Sequence, residues 1–158
     1  MGLLTDAPYH ELCYRIIGAA MDVHNRLGPG HREAVYQRAL MTRLEESGIA
    51  AVVEQPVEIY FEDRPVGWLY IDCLVEDTVV VELKAFPHLL TDEEVAQVIT
   101  YLVATAKPVG LLFNFGCRRL QFKRIFPPKD LDAWRDRDGH YLWRPAEHRR
   151  WTEEPGAE

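Results

Sequence analysis

Apolar positions recur every three or four residues from about 8 to 27, at Leu12, Ile16, Ala19, Ala20, Val23 and Leu27. That spacing predicts an amphipathic helix. Gly28-Pro29-Gly30 ends it, because Gly28 suits a left-handed C-cap and Pro29 cannot continue a helix. A second helix is predicted over about 31 to 47, stopping at Ser47-Gly48. β-type segments follow at about 50–61 and 66–75, broken by Glu62-Asp63-Arg64-Pro65. A third strand, 78–85, comes after the polar turn Glu76-Asp77. Thr91-Asp92-Glu93-Glu94 has the pattern of a capping box and opens a helix to about 106. Two further apolar runs, 109–115 and 120–126, are separated by Gly116. The order α-α-β-β-β-α-β-β predicts an α/β or mixed α+β domain over 1–127. From Pro128 onward charged residues of both signs mix with Trp134, Trp143 and Trp151. This stretch, 128–158, reads as an extension packed on the core or at an oligomer or partner interface.

Some polar residues break these apolar patterns. Glu33, Tyr36, Leu40 and Leu44 share one face of the second helix, so a carboxylate continues an apolar stripe. It either points toward the core edge or complements the helix dipole from an exposed first turn. In the strand 78–85, Val79, Val81 and Leu83 take one face and Val80, Glu82 and Lys84 the other. The preceding strand puts Trp68, Tyr70, Asp72 and Leu74 on one face. If Glu76-Asp77-Thr78 forms a three-residue hairpin loop, Asp72 falls opposite Glu82. Two carboxylates facing each other repel unless a cation sits between them. A two-residue turn would instead split the pair across the sheet. On the third helix Val95, Val98, Ile99, Leu102 and Ala106 form the packing stripe, flanked by Glu94, Gln97 and Tyr101. Carboxylates from separate elements fit a hard cation such as Mg²⁺ or Mn²⁺. A neighbouring lysine suits phosphodiester hydrolysis.

Composition narrows the alternatives. The chain has 158 residues, 47% hydrophobic and 27% charged, which fits one globular domain rather than disorder. Its apolar runs are too short to span a membrane, and the N-terminus does not read as a signal peptide. Cys13, Cys73 and Cys117 lie far apart with no C-x-x-C pair, which argues against zinc and fits buried free thiols in a cytoplasmic protein. A formal net charge of −7 argues against holding nucleic acid by bulk electrostatics. Arg118, Arg119, Lys123 and Arg124 nevertheless gather around the last predicted hairpin, near Lys129. They are the best candidates for phosphate contacts, with a solvated hairpin as the alternative.

Gly30-His31-Arg32-Glu33-Ala34-Val35-Tyr36 resembles the signature of the bacterial GxxExxY proteins. Asp72 followed by Glu82-Leu83-Lys84 resembles the core of the PD-(D/E)XK nucleases, and Gln97-Val-Ile-Thr-Tyr101 the Q-x-x-x-Y motif of their RecB-like branch. Leu111–Gly116 is similar to the late strand of that family. The resemblance covers about residues 8–127. It implies a restriction-endonuclease-like fold, a mixed central sheet flanked by helices with the site at one sheet edge. It implies Asp72 and Glu82 as ligands of Mg²⁺ or Mn²⁺, the Leu83 carbonyl as a candidate third oxygen, and Lys84 as the catalytic lysine. Glu33 then completes the acidic cluster directly or through water, while Gln97 and Tyr101 orient the site or contact substrate. Where relatives often carry histidine, this chain has Glu94, either a further carboxylate ligand or the capping residue of its helix. His88 is another nearby donor or a solvated loop residue. The function implied is metal-dependent hydrolysis of DNA, with RNA as the alternative substrate. A non-catalytic nucleic-acid-binding or assembly module on the same fold is the competing reading. A small-molecule phosphohydrolase ranks last, for want of a glycine-rich phosphate loop.

Overall fold

Two apolar layers, one on each face of a five-stranded sheet, organise the chain in the computed structural model, which describes residues 9–127. The helices α1 (His10–Leu27) and α2 (Glu33–Glu46) are followed by strands β1 (Ala51–Phe61), β2 (Arg64–Val75) and β3 (Val79–Lys84). Helix α3 (Asp92–Thr105) then leads to β4 (Val109–Asn114) and β5 (Gln121–Ile125). The sheet order is β1-β2-β3-β4-β5, with β3 and β4 parallel and the other neighbours antiparallel. This is the expected mixed sheet flanked by helices. No helix among the described residues is long and apolar enough to cross a membrane. The stretch 128–158, including Lys129, lies outside the described residues.

Strict alternation on β3 serves both layers. Val79, Val81 and Leu83 pack with Ile16, Ala20 and Val23 of α1 and with Tyr36, Leu40 and Leu44 of α2. Val80 faces the other way, onto Val95, Val98, Ile99 and Leu102 of α3. Gly110 lets α3 come this close, since a Cβ there would lie 2.6 Å from Val98 Cγ1. The pattern-derived helices and strands end within two residues of those observed. At the start of β2 the ladder continues to Phe61↔Arg64, so Arg64 and Pro65 belong to the strand rather than to the break. A left-handed Glu62 (φ 55°) makes this tight reversal. Cys13 and Cys73 are buried free thiols as expected, but Cys117 is only half-buried, in the loop after β4.

The parallel pair ends together, at Lys84↔Asn114. Crevices outside the carboxyl ends of parallel strands are the usual ligand sites of such sheets. Two clamps order the loops at this end. The Tyr36 hydroxyl donates to Gly28 O at 2.6 Å and accepts from His31 N at 3.2 Å, while its ring stacks on Phe115 at 4.7 Å. It thereby fixes the turn before α2, where Gly30 has φ 105°. Asn114, fully buried, accepts at Oδ1 from Phe86 N and Gly116 N and donates from Nδ2 to His88 O. A Cβ on Gly116 would lie 2.2 Å from Phe86 O, so glycine lets the two loops touch.

Tyr36→Phe keeps the ring stack and leaves the Gly28 carbonyl and His31 amide without their partner. It should lower stability by about 1–2 kcal/mol in urea unfolding. An unchanged midpoint would show that the hydroxyl clamp contributes nothing.

Candidate active site

The hairpin between β2 and β3 has the three-residue loop, with Val75↔Val79, Leu74↔Val80 and Cys73↔Val81 in register. One residue further on, Asp72 stands opposite Glu82, and there the side chains take over the hydrogen bonding. Leu83 N donates to Asp72 Oδ2 at 2.9 Å, and Asp72 N to Glu82 Oε1 at 3.4 Å. Ile71 packs in the α3 layer while Cys73, two residues on, packs in the α1–α2 layer. The simple alternation predicted for β2 therefore fails at Asp72. The cause lies across the ladder, where Glu54 sits between the pairs Val53↔Cys73 and Gln55↔Ile71 with a left-handed backbone, φ 53°.

The predicted residues divide over two hollows. A cleft of about 610 Å³ beside α2 is lined by Arg32, Glu33, Gln37, Glu54, Asp72 and Leu83 among others. A groove of about 480 Å³ beside α3 is lined by Lys84, Phe86, Glu93, Glu94 and Gln97 among others. Glu82, only 2% exposed, bridges them: it touches Asp72, and its Oε2 lies 3.7 Å from Lys84 Nζ. Tyr101, also buried, takes a hydrogen bond from Gln97 Nε2 at 3.0 Å. Glu33 is exposed at the mouth of the α2-side cleft, on the stripe of Tyr36, Leu40 and Leu44.

Electrostatics tie the two hollows together. Burial, then the charge of Asp72, pushes Glu82 up to about 8 despite the opposing pull of Lys84. Burial also raises Asp72, against the Leu83 hydrogen bond and Lys84 and with help from Glu54. Glu33, although exposed, is raised by partial desolvation against the cleft wall and by Asp72, with Lys84 acting in opposition. Burial, followed by the charges of Glu82 and Asp72, takes Tyr101 to about 12. Burial and their mutual charge make it costly to ionise both carboxyls, so without a cation Glu82 holds its proton near neutral pH.

The remaining candidates fall in different places. Glu94 forms the capping box, its Oε2 accepting from Thr91 N at 2.8 Å and from Thr91 Oγ1 at 2.6 Å. Burial opposes ionisation there, but these Thr91 bonds hold its carboxyl below the ordinary range. His88 bonds to Leu89 O and stacks on Phe86. Arg118 and Arg119 are exposed in the loop after β4, at the same sheet end as Lys84. Lys123 and Arg124 point to opposite faces of β5, so the four cations do not form one patch; Arg124 approaches His10 at 3.4 Å.

Three residues escaped the sequence reading. Arg32 adds a cation to the α2-side cleft, and the i, i+4 spacing from Glu33 could have pointed to Gln37. Glu54 gave no signal, because a left-handed glutamate is not encoded by any local motif. Among the described residues, no three His, Cys, Asp or Glu side chains converge to hold a metal ion. The Asp72–Glu82 pair still suits Mg²⁺, which commonly takes one or two carboxylates and keeps several waters.

Helices on both faces of a five-stranded mixed sheet, with carboxylates and a lysine at the splayed end of β2 and β3, define a restriction-endonuclease-like α+β protein. The family model of the PD-(D/E)XK nuclease superfamily matches residues 10–125, and the chain belongs to that superfamily. Among solved structures it is similar to "Crystal structure of SSO0001", with TM-score 0.51 and 18% identity, over 64% of this chain and 53% of that one. That likeness concerns the fold alone, and this chain spans about half the length of that protein. No curated protein matches the chain. Nucleases of this superfamily generally use Mg²⁺ or Mn²⁺.

The raised Glu82 carboxyl has a consequence for stability. The native state keeps its proton to about pH 8, whereas an unfolded glutamate loses it near 4.5. The associated stability is present below pH 4.5 and is lost as pH rises to 8, at up to about 1.4 kcal/mol per pH unit. Asp72 and Glu33 add to the same trend. Urea unfolding in EDTA should show this decline, and Glu82→Gln should flatten most of it. Parallel profiles for the two proteins would refute the buried proton on Glu82.

Proposed function

We propose that this protein is a Mg²⁺- or Mn²⁺-dependent nuclease that hydrolyses DNA phosphodiester bonds, a GxxExxY protein of the RecB-like branch. The observation that carries this reading is the opposition of Asp72 and Glu82, fixed by the Leu83 and Asp72 amides, with Lys84 3.7 Å from Glu82. A buried carboxyl pair that costs free energy to ionise is relieved by a divalent cation in place of the proton. Asp72, Glu82 and the Leu83 carbonyl would hold that cation, with Glu33 joining from the cleft mouth through water. The bound ion would lower the pKa of a water and polarise a phosphoryl oxygen.

The chain's own side chains supply the rest. The Lys84 ammonium orients the attacking water and offsets charge developing on the phosphate. Tyr101 stays protonated beside Glu82, and its hydroxyl, fixed by Gln97, is free to orient the site or donate to substrate. Glu94 serves the helix cap first, and its charge also acts on Lys84. Arg118 and Arg119, exposed at the sheet end that carries Lys84, contact the nucleic-acid backbone, whereas Lys123 and Arg124 on opposite faces of β5 do not join them in one surface. Residues 1–127 constitute the nuclease domain of a cytoplasmic protein, and 128–158 supply a surface for a second copy or another protein.

DNA incubated with Mg²⁺ or Mn²⁺ should be cleaved, with degradation of linear DNA from its ends alone marking an exonuclease and nicking of circles an endonuclease. Glu82→Ala and Lys84→Ala should each reduce cleavage by at least about 100-fold while leaving the circular dichroism spectrum unchanged. Full activity in either variant refutes the assignment. Calorimetry near pH 7 should show metal binding with proton release, read from its dependence on buffer ionisation enthalpy. Absence of binding at millimolar metal would favour the non-catalytic module.

A further inference from the structure

The side-chain amide of Gln37 joins two elements at the point where the ladder irregularity occurs. Residue 37 lies one helical turn beyond Glu33, so both line the α2-side cleft. Its Nε2 donates to Asp72 O at 2.7 Å and to Glu54 Oε1 at 3.0 Å. Both acceptors belong to the irregular step, where Glu54 is left-handed and the faces of β2 exchange. Asp72 is thus held twice, at its carbonyl by α2 and at its carboxylate by the Leu83 N–H of β3. The same amide fixes the Glu54 carboxylate, whose charge acts on Asp72.

We propose that Gln37 is a positioning residue: its amide sets the Asp72 carboxylate opposite Glu82 and locks it to the helix that carries Glu33. Removing the donor leaves a half-buried carbonyl without its α2 partner and releases Glu54 beside Asp72. Asp72 then loses one of its two anchors, and the carboxyl pair loosens. The effect on metal rests on the nuclease reading; the effect on Asp72 does not.

Two measurements test this. In metal-free protein, the Leu83 amide reports on Asp72 because it donates to Oδ2. Gln37→Met, nearly isosteric but without a donor, should speed Leu83 hydrogen exchange by about tenfold or more relative to the Leu111 amide. Mn²⁺ affinity, measured by calorimetry, should fall by about 10–100-fold, the usual loss when a residue supporting a metal ligand is removed. Gln37→Asn keeps the amide but is one methylene short, and serves if the Met variant does not fold. Unchanged relative exchange at Leu83 overturns the proposal. So does faster exchange with unchanged Mn²⁺ affinity, since Gln37 would then matter only to the fold. If the wild-type protein binds no Mn²⁺, the nuclease reading fails, while the exchange result still decides the role of Gln37.

Discussion

Two carboxyl groups facing each other across a strand pair are unfavourable, and much of the sheet end is arranged around keeping Asp72 and Glu82 in that position. Glu82 is nearly inaccessible and Asp72 half-buried, so neither can turn to water for relief. The pair can reduce its repulsion by keeping a proton, borrowing the field of Lys84, or taking a cation. The hydrogen bonds from Leu83 N and Asp72 N fix the geometry in which these options compete. A site of this kind stores an affinity for positive charge before any ligand arrives.

Holding the pair requires support from both layers. On the α2 side, the Tyr36 hydroxyl fixes the turn that delivers Glu33, and the Gln37 amide reaches the Asp72 carbonyl. On the other side, Asn114 closes the loop after β3 against the loop after β4. Gln121 takes a hydrogen bond from Leu90 N at 2.8 Å, and the Thr91–Glu94 box starts α3 immediately afterwards. The backbone between Lys84 and Gln97 is therefore pinned at several points. This explains how a loop-bounded site can present Lys84 and the Gln97–Tyr101 pair in a fixed relation, as preorganised chemistry requires.

The elements and layers were legible in the sequence because helix stripes and strand alternation report burial directly. The three-residue turn was legible as a condition, since that loop or an equivalent bulge sets Asp72 against Glu82, and the observed register satisfies it with the loop. What escaped were features decided by tertiary contact. Alternation placed Leu74 and Asp72 on one face, but the left-handed Glu54 breaks the pattern between them. The cationic run 118–124 looked continuous along the chain, whereas strand geometry sends Lys123 and Arg124 to opposite faces. Glu33 followed its stripe as far as the helix start, and only the packed structure shows that the stripe there opens onto a cleft.

The net charge of −7 acquires a different meaning once its members are placed. Asp72, Glu33 and Glu54 are acidic groups around one cleft, with Glu82 behind them holding its proton, and a divalent ion would offset two charges there. Within the same cleft Arg32 stands beside Glu33, and Arg118 and Arg119 are exposed at the same end of the sheet. A polyanion approaching this end meets a few separated cations around an acidic centre, not a continuous basic surface. Binding through so few phosphate contacts would be weak and depend modestly on salt. Metal loading would then do more than supply chemistry: by converting the acidic centre toward neutrality, it would remove the main repulsion opposing a phosphate backbone. Under the proposed nuclease function, affinity for nucleic acid and occupancy by metal would be coupled through a single pair of carboxyl groups.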